Sequence, residues 1–432
     1  ARKIIKNKLP EEYKRLEPHD SFYIGSDMFY TYIVANHLWD LRIKQRTKEG
    51  YYVEAKKLKK ELQNGIFPEE IRENFKRILD YFGQTPIIVR SSSFLEDGFG
   101  NAFAGKYESV FCVNRGTFEE RLQDFENAVK TVYASTMDIS ALEYRNRNHL
   151  EDIDEQMALL VQRVSGSYYE DYYFPTVAGV GYSYSPFSPL PVMDKKAGML
   201  RLVMGLGTKA VDRTQNDYPR IINLDKPKVV TMTSMADRHR YSQHSLDVLD
   251  LKEVSVKEHP VSEGLEVLPR YAKNEVVEHD TEIEERYKEQ GNPREVVFVS
   301  CQGMVNNKEF TNMMQNILKT LEENYNFPVD IEFTVNIGKQ HSFVVNLVQC
   351  RPLSISKSNE NIEIPQIQDN ILFHIKDASM GRSRRENIDV IVTVDPHKYY
   401  EFPYNKKSNI ARIIGKINDY YKHENINLML IV

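Results

Sequence analysis

The chain has 432 residues, 41% of them hydrophobic and 28% charged, with a net charge of −5. That length supports two or three domains with sizeable cores, and the near-balanced charge points to neither nucleic acid nor a membrane surface. No apolar run approaches the roughly 20 residues that span a bilayer, and no secretory signal pattern opens the chain.

Ser26 or Asp27 is placed to cap a helix running through Trp39 to about Gln45. Pro68-Glu69-Glu70 starts another, with proline near its first turn and acids at the positive end of its dipole, ending near Gly83. Pro86-Ile87-Ile88-Val89 then reads as a short buried strand that delivers Arg90 at its end, followed by Ser91, Ser92 and Ser93. The next stretch, Phe94 to Gly105, holds Gly98, Gly100 and Gly105 among small residues. Such a backbone can close over a ligand with its N–H groups turned inward. Thr117-Phe118-Glu119-Glu120 is a capping box, after which Phe118, Leu122, Phe125, Val129 and Val132 mark one helical face.

Tyr168, Tyr169, Tyr172, Tyr173 and Phe174 read as a hairpin tip packing on its neighbours. Residues 225–295 are charged and weakly periodic, so variable loops and short elements are expected there. Phe310, Met313, Met314, Ile317, Leu318 and Leu321 repeat at helical spacing.

A hairpin comes next. Val329, Ile331, Phe333 and Val335 alternate with Asp330, Glu332, Thr334 and Asn336, as in a half-buried strand, so both carboxylates share one face. Phe343 to Arg351 reads as the partner strand, with Gln349 and Arg351 on one face and a turn at Gly338 between the two. Two carboxylates, an amide and a guanidinium suit a divalent metal and a polyphosphate, because hard oxygens hold magnesium and arginine grips phosphate bidentately. Taken by itself, the hairpin fits a solvated sheet face with an incidental ion pair equally well.

Ser354 to Gln366 is polar, contains Pro365 and reads as a linker. Residues 367–432 then read as a separate α/β extension: strands at Ile371–Ile375 and Ile388–Val394, a helix on Ile410, Ile413, Ile414 and Ile417, and a last strand at Asn427–Val432. This segment is expected to be truncated within a larger protein. Cys112, Cys301 and Cys350 are far apart and odd in number, and Cys112 and Cys350 lie in apolar runs. They read as reduced thiols of a cytoplasmic protein, with no zinc or catalytic-cysteine pattern.

The run from Val89 to Val110, VRSSSFLEDGFGNAFAGKYESV, resembles the signature of the nucleotide-binding domain shared by phosphoenolpyruvate synthases and pyruvate phosphate dikinases. Later elements resemble that family in the same order. They are Leu160-Val161-Gln162-Arg163-Val164, Ala178-Gly179-Val180-Gly181-Tyr182-Ser183 followed by Pro186, Met204-Gly205-Leu206-Gly207, and VDIEF with LVQCRP. Together the five elements cover roughly residues 20 to 353, and the combination is specific where each piece is weak.

The resemblance implies the ATP-grasp fold, two α+β lobes that clamp ATP, over residues 1–353. It implies that Arg90 and Arg351 contact ATP phosphates, and that Glu332 and Gln349 hold Mg²⁺ or position the γ-phosphate. Asp330 would support that cluster or reach the ribose, Gln162, Arg163 and Val164 would flank the adenine through backbone groups, and the loop carrying Gly98, Gly100 and Gly105 would cover the phosphates. Phosphoryl transfer asks the protein for little beyond such positioning and charge neutralisation.

The chain departs from the family in places. The family's phosphate-binding lysine lies in a G-G-K element, and this sequence has no Gly-Gly pair. Its first residues, Ala1 to Ile5, resemble the family's stretch immediately after that lysine, so the chain is expected to start just past it. Lys3 and Lys6 read as solvated helix charges. None of the eleven histidines has the T-G-G-x-x-x-H setting of the family's phosphate-accepting histidine, and His341 reads as a surface turn residue. Too little chain lies beyond residue 353 for a pyruvate-binding barrel.

The expectation is therefore the Mg-ATP-binding portion of a phosphoenolpyruvate synthase or pyruvate phosphate dikinase-like phosphotransferase. It would pass a phosphoryl group to a histidine on a domain absent from this chain, with the phosphohistidine and PEP/pyruvate domains of a parent protein as partners. The alternative from another class is a non-catalytic nucleotide-sensing or interaction module. An ATP-grasp ligase shares the metal chemistry but not the Arg-Ser-Ser and Gln-x-Arg-Pro elements, and a polysaccharide or antibiotic acceptor stays open.

Overall fold

Short alternating strands and amphipathic helices assemble the first lobe. Its strands are β1 (Ser21–Ile24), β2 (Ile87–Ser93), β3 (Ser109–Cys112) and β4 (Met157–Arg163). They form an antiparallel sheet in the order β1-β4-β2-β3. Ile87 and Val89 turn inward against Phe29, Tyr32, Phe75, Phe125 and Tyr133 from the helices, where each ring buries enough apolar surface to contribute about 1.5–3 kcal/mol. The structure is a computed structural model of the chain. It describes the residues other than 19, 94, 97–104, 186–193, 212–216, 231, 233, 354–368, 373–386, 404, 405, 424, 425 and 432, and other than the side chains of 408, 422 and 423.

Helix Glu69–Phe82 starts behind Pro68 and stops at Gly83, whose φ of 59° is a left-handed value that glycine takes without strain. Helix Phe118–Ser135 carries the reciprocal capping box: Glu120 N–H donates to Thr117 Oγ1 and Thr117 N–H to Glu120 Oε2. The single helix expected from Ser26 to Gln45 is two helices, Ser26–Ala35 and Trp39–Gln45, and Gly25 rather than Ser26 or Asp27 is the cap. Asn36 breaks it. Its side chain donates to the Tyr32 and Ile66 carbonyls and accepts from Ile66 N–H, and His37 next to it takes φ 57°. That partner lies thirty residues away, so helical periodicity carries no trace of it.

The second lobe holds β5 (Ser167–Tyr169), β6 (Tyr172–Phe174), β7 (Val177–Tyr182), β8 (Met199–Val203) and β9 (Arg220–Asn223). It continues with β10 (Ser245–Asp250), β11 (Ser255–Pro260), β12 (Val277–His279), β13 (Val297–Val299), β14 (Val329–Ile337) and β15 (Phe343–Pro352). A five-stranded antiparallel sheet runs β15-β14-β7-β8-β9, beside a four-stranded sheet β11-β10-β6-β5 and a two-stranded one, β12-β13. Helix Lys308–Tyr325 presses Phe310, Met314, Ile317 and Leu321 into the same core as Ile331, Phe333 and Val335.

β5 and β6 make the expected aromatic hairpin, with Tyr168 against Tyr173 and Tyr169 against Phe174. Residues 225–295 hold the short elements expected there, each three to nine residues long. β10 and β11 pair there, and Leu246, Val248 and Leu249 are buried, so the charged positions decorate a sheet rather than loops. β14 also departs from a half-buried strand, because Asp330 and Thr334 are buried on what reads as its polar face.

The chain divides into two units, Ala1–Ser356 and Lys357–Val432. In the second, strands Val390–Thr393 and Leu428–Ile431 pair in parallel around helices Pro396–Glu401 and Lys407–His423. Ile371 and Leu372 are not in a strand, while 373–375 and the expected linker 354–366 lie outside the described residues. All three cysteines are free. Burial pushes the thiols of Cys112 and Cys301 up to about 12 and that of Cys350 to about 11. Among the described residues no helix is long and apolar enough to cross a membrane. The fold is α+β, with two lobes and a C-terminal α/β extension.

Candidate functional site

The β14–β15 register sets Asp330 opposite Arg351 and Glu332 opposite Gln349. Directly opposed side chains in an antiparallel pair lie close enough to bond. Arg351 Nε donates to both Asp330 oxygens, at 2.8 and 3.0 Å, and its Nη2 lies 3.8 Å from Glu332 Oε1. Just past Glu332 the register shifts by a bulge, which re-aims the strand at the rim of the pair.

Arg90 arrives from the other lobe at the middle of β2 and not at the strand end expected, because Ser91 to Ser93 continue the pairing with β4. Its Nη2 donates to Glu332 Oε2 at 3.0 Å and to Gln349 Oε1 at 2.7 Å, closing a cluster across 242 and 259 residues of chain. The side chains are 15% exposed for Arg90 and 18% for Glu332, so the cluster is shielded yet reachable. Glu332 is thereby shared by two guanidiniums. Burial pulls the Arg351 pKa down, but the charge and hydrogen bonds of Asp330 and the charge of Glu332 outweigh it, and the net shift is upward. Arg351 stays charged at any working pH.

A cleft of about 630 Å³ opens over this cluster, within the size range of small-molecule sites. Eight of the residues singled out by sequence line it: Arg90, Gly105, Gln162, Arg163, Val164, Glu332, Gln349 and Arg351. Asp330 does not. At 8% exposure its carboxylate is committed to Arg351, so it holds that guanidinium in place instead of facing the cleft. Gly98 and Gly100 lie outside the described residues. Arg163 turns its side chain to Asp20 and Thr85, leaving its backbone to the cleft. Lys3 and Lys6 are exposed on helix Arg2–Lys8 and are not cleft residues, and His341 is exposed beside Glu275.

Among the described residues, Gln162 Oε1, on a side chain 9% exposed overall, and Thr334 Oγ1 are buried cleft atoms without a hydrogen-bond partner. Both atoms are open to a polar partner on the cleft wall. Thr334 was readable in principle, since it continues the period-two spacing of Asp330 and Glu332. Lys106 also lines the cleft and stands directly after the F-A-G run. Gly205 and Gly207 take φ of 99° and 92°, which lets the chain turn sharply to place Gly207 and Thr208 on the cleft wall.

Ser93 and Tyr107 meet on one carboxylate. Ser93 Oγ and Tyr107 Oη both donate to Glu155, which is 2% exposed, and Arg145 Nη1 lies 3.8 Å from the same group.

The residues present also suit a magnesium ion bound together with phosphates. Among the described residues no group of three or more His, Cys, Asp or Glu side chains forms a metal cage. Glu332 and Gln349 instead offer adjacent oxygens, the sparse donor set that Mg²⁺ uses when phosphates supply the rest.

Two α+β lobes with a polar cleft between them, carrying this arginine–carboxylate cluster, define a nucleotide-binding domain of the ATP-grasp type. The chain belongs to the family described as pyruvate phosphate dikinase, AMP/ATP-binding domain, whose sequence model matches residues 6–370. No curated protein matches it.

Proposed function

We propose that the cleft binds ATP together with a divalent metal. In this reading the domain is the donor half of a phosphoenolpyruvate synthase or pyruvate phosphate dikinase-like phosphotransferase. The observation that carries it is the Arg90–Glu332–Gln349 contact, in which one lobe's guanidinium bonds to the other lobe's carboxylate and amide.

Arg90 exchanges those two bonds for phosphate oxygens when the triphosphate enters. Glu332 Oε2 and Gln349 Oε1, no longer engaged by Arg90, would hold the metal, which would supply charge neutralisation for the phosphates. Arg351, clamped by Asp330, presents its remaining N–H groups to the phosphate tail. The backbone of Gln162 to Val164 flanks the adenine. A histidine nitrogen on another domain attacks the phosphorus. A new N–P bond forms as the P–O bond to the nucleotide breaks, and the nucleotide oxygen leaves with the electron pair. The protein of which this domain is part would act in the cytoplasm, in keeping with its three free thiols.

Charge supports the metal complex over free ATP as the ligand. Arg90, Lys106, Arg163 and Arg351 among the lining residues are matched by Glu96, Glu108, Asp138 and Glu332. A cleft without net charge offers a bare triphosphate little attraction.

Isothermal titration with Mg·ATP tests the reading. The wild-type chain is expected to give saturable heat, and a Glu332→Ala/Arg351→Ala variant none. Equal heats from the two would overturn it.

A further inference from the structure

We infer that Lys106 grips the terminal phosphates and sets the preference of this cleft for a nucleoside triphosphate over a monophosphate. The inference rests on the nucleotide reading of the cleft and names the residue that selects within it.

Four cations line the cleft, and three are already committed. Arg90 is bound to Glu332 and Gln349, Arg351 to Asp330, and Arg163 to Asp20 and Thr85. Lys106 is half-buried, and among the described residues that line the cleft it is the one cation without a hydrogen bond or ion pair. An ammonium on a flexible four-carbon stem, with three donors and no carboxylate to surrender, binds a phosphate at no cost in broken ion pairs. Arg90 must first give up its bonds to Glu332 and Gln349, and Arg351 offers only the N–H groups that Asp330 leaves over.

Strand register orders the charges along the cleft. Arg163 and Gln162, at the proposed adenine end, stand opposite Ile87 and Ile88. Arg90 lies further along β2, opposite Ser109 of β3. Lys106 precedes Ser109 by three residues, so the chain places it beyond Arg90 and away from the adenine end. A monophosphate anchored at Gln162 to Val164 stops short of it, whereas a triphosphate extends toward it. Lys106 is therefore a specificity residue for the length of the phosphate tail.

The test is titration of ATP, AMP and tripolyphosphate, at constant ionic strength and magnesium, into the wild-type chain, Lys106→Met and Lys106→Arg. Loss of one charge-assisted contact is expected to weaken ATP about tenfold or more in Lys106→Met. AMP should change by less than about twofold, and Lys106→Arg should recover most of the ATP affinity. Matching thermal melts of the three proteins confirm that the fold is kept, as expected for a side chain with no ion pair to lose among the described residues.

If Lys106→Met binds ATP as tightly as wild type, or weakens ATP and AMP equally, the inference falls while the nucleotide reading stands. If the wild type binds tripolyphosphate through Lys106 but no nucleotide, the nucleotide reading fails and the polyphosphate grip of Lys106 survives. If none of the three ligands binds, both are overturned.

Discussion

Replacing Arg90 with alanine should cripple nucleotide binding out of proportion to the size of the change. The guanidinium is the only group seen to bond β2 of one lobe directly to Glu332 and Gln349 of the other, among the described residues, at 3.0 and 2.7 Å. In the proposed bound state those donors would face phosphate oxygens, and a charge-assisted hydrogen bond contributes about 1.5–3 kcal/mol. At about 1.4 kcal/mol per tenfold, Mg·ATP affinity should fall about 10- to 150-fold. The upper half of that range is favoured for a structural reason. Without Arg90, the nearest cation to Glu332 among the described residues is Arg351 at 3.8 Å, so a half-compensated carboxylate is left near the incoming phosphates. Arg90→Lys keeps the charge but loses the planar fork, and should fall between alanine and wild type. The assay is calorimetric titration at 25 °C and fixed ionic strength, with a thermal melt to confirm that each variant is folded. A folded Arg90→Ala protein that binds Mg·ATP within about threefold of wild type would refute the reasoning, because a contact spanning the cleft would then contribute nothing to the ligand.

Three further outcomes rest on the packing. Glu155→Ala removes the shared acceptor of Ser93 and Tyr107 and leaves Arg145 buried without its counter-charge. It should lower stability to urea by about 3 kcal/mol, and an unchanged unfolding midpoint would show that the network is not structural. Gly179→Ala would put a methyl group 2.3 Å from the Arg201 carbonyl and 2.9 Å from the Phe333 ring, forcing β7 away from β8. A loss of about 1–3 kcal/mol and weaker nucleotide binding are expected, and a fully stable, binding-competent variant contradicts that. The Asp217 carboxyl is raised by burial, but the Ser245 hydroxyl, the Ser245 and His244 N–H groups and Lys209 outweigh this and hold it below its usual value. A depressed folded-state pKa adds stability above the unfolded value of about 3.9 and loses it as pH falls through the folded one. Asp217→Asn should therefore be less stable than wild type at pH 7, with the gap closing on acidification below about pH 4; a gap independent of pH would refute the assignment.

How much of this was legible beforehand varies with the range of the interaction. The capping box at Thr117 and the stop at Gly83 rest on neighbours within a few residues, the β14–β15 hairpin on two adjacent alternating runs, and each appears where its pattern lies. The break at Asn36 did not show, because its competing partners sit on Ile66. In residues 225–295 the short elements were legible but the β10–β11 pairing was not: strands on a sheet with one exposed face carry charge, and charge alone does not separate them from loops.

The amino-acid sequence by itself determined the residue types of the site, their placement on strands, and membership of an AMP/ATP-binding family. These are consequences of side-chain periodicity and local backbone preference, which act over a few residues. Only the tertiary structure decided which charges are spent and which are free. It drew Asp330 out of the cleft and onto Arg351, joined Arg90 to Glu332 across 242 residues, and left Lys106 without a partner among the described residues. Whether an ion is neutralised depends on what two folded lobes bring within about 4 Å of it, and Coulomb attraction at that range takes no account of distance along the chain.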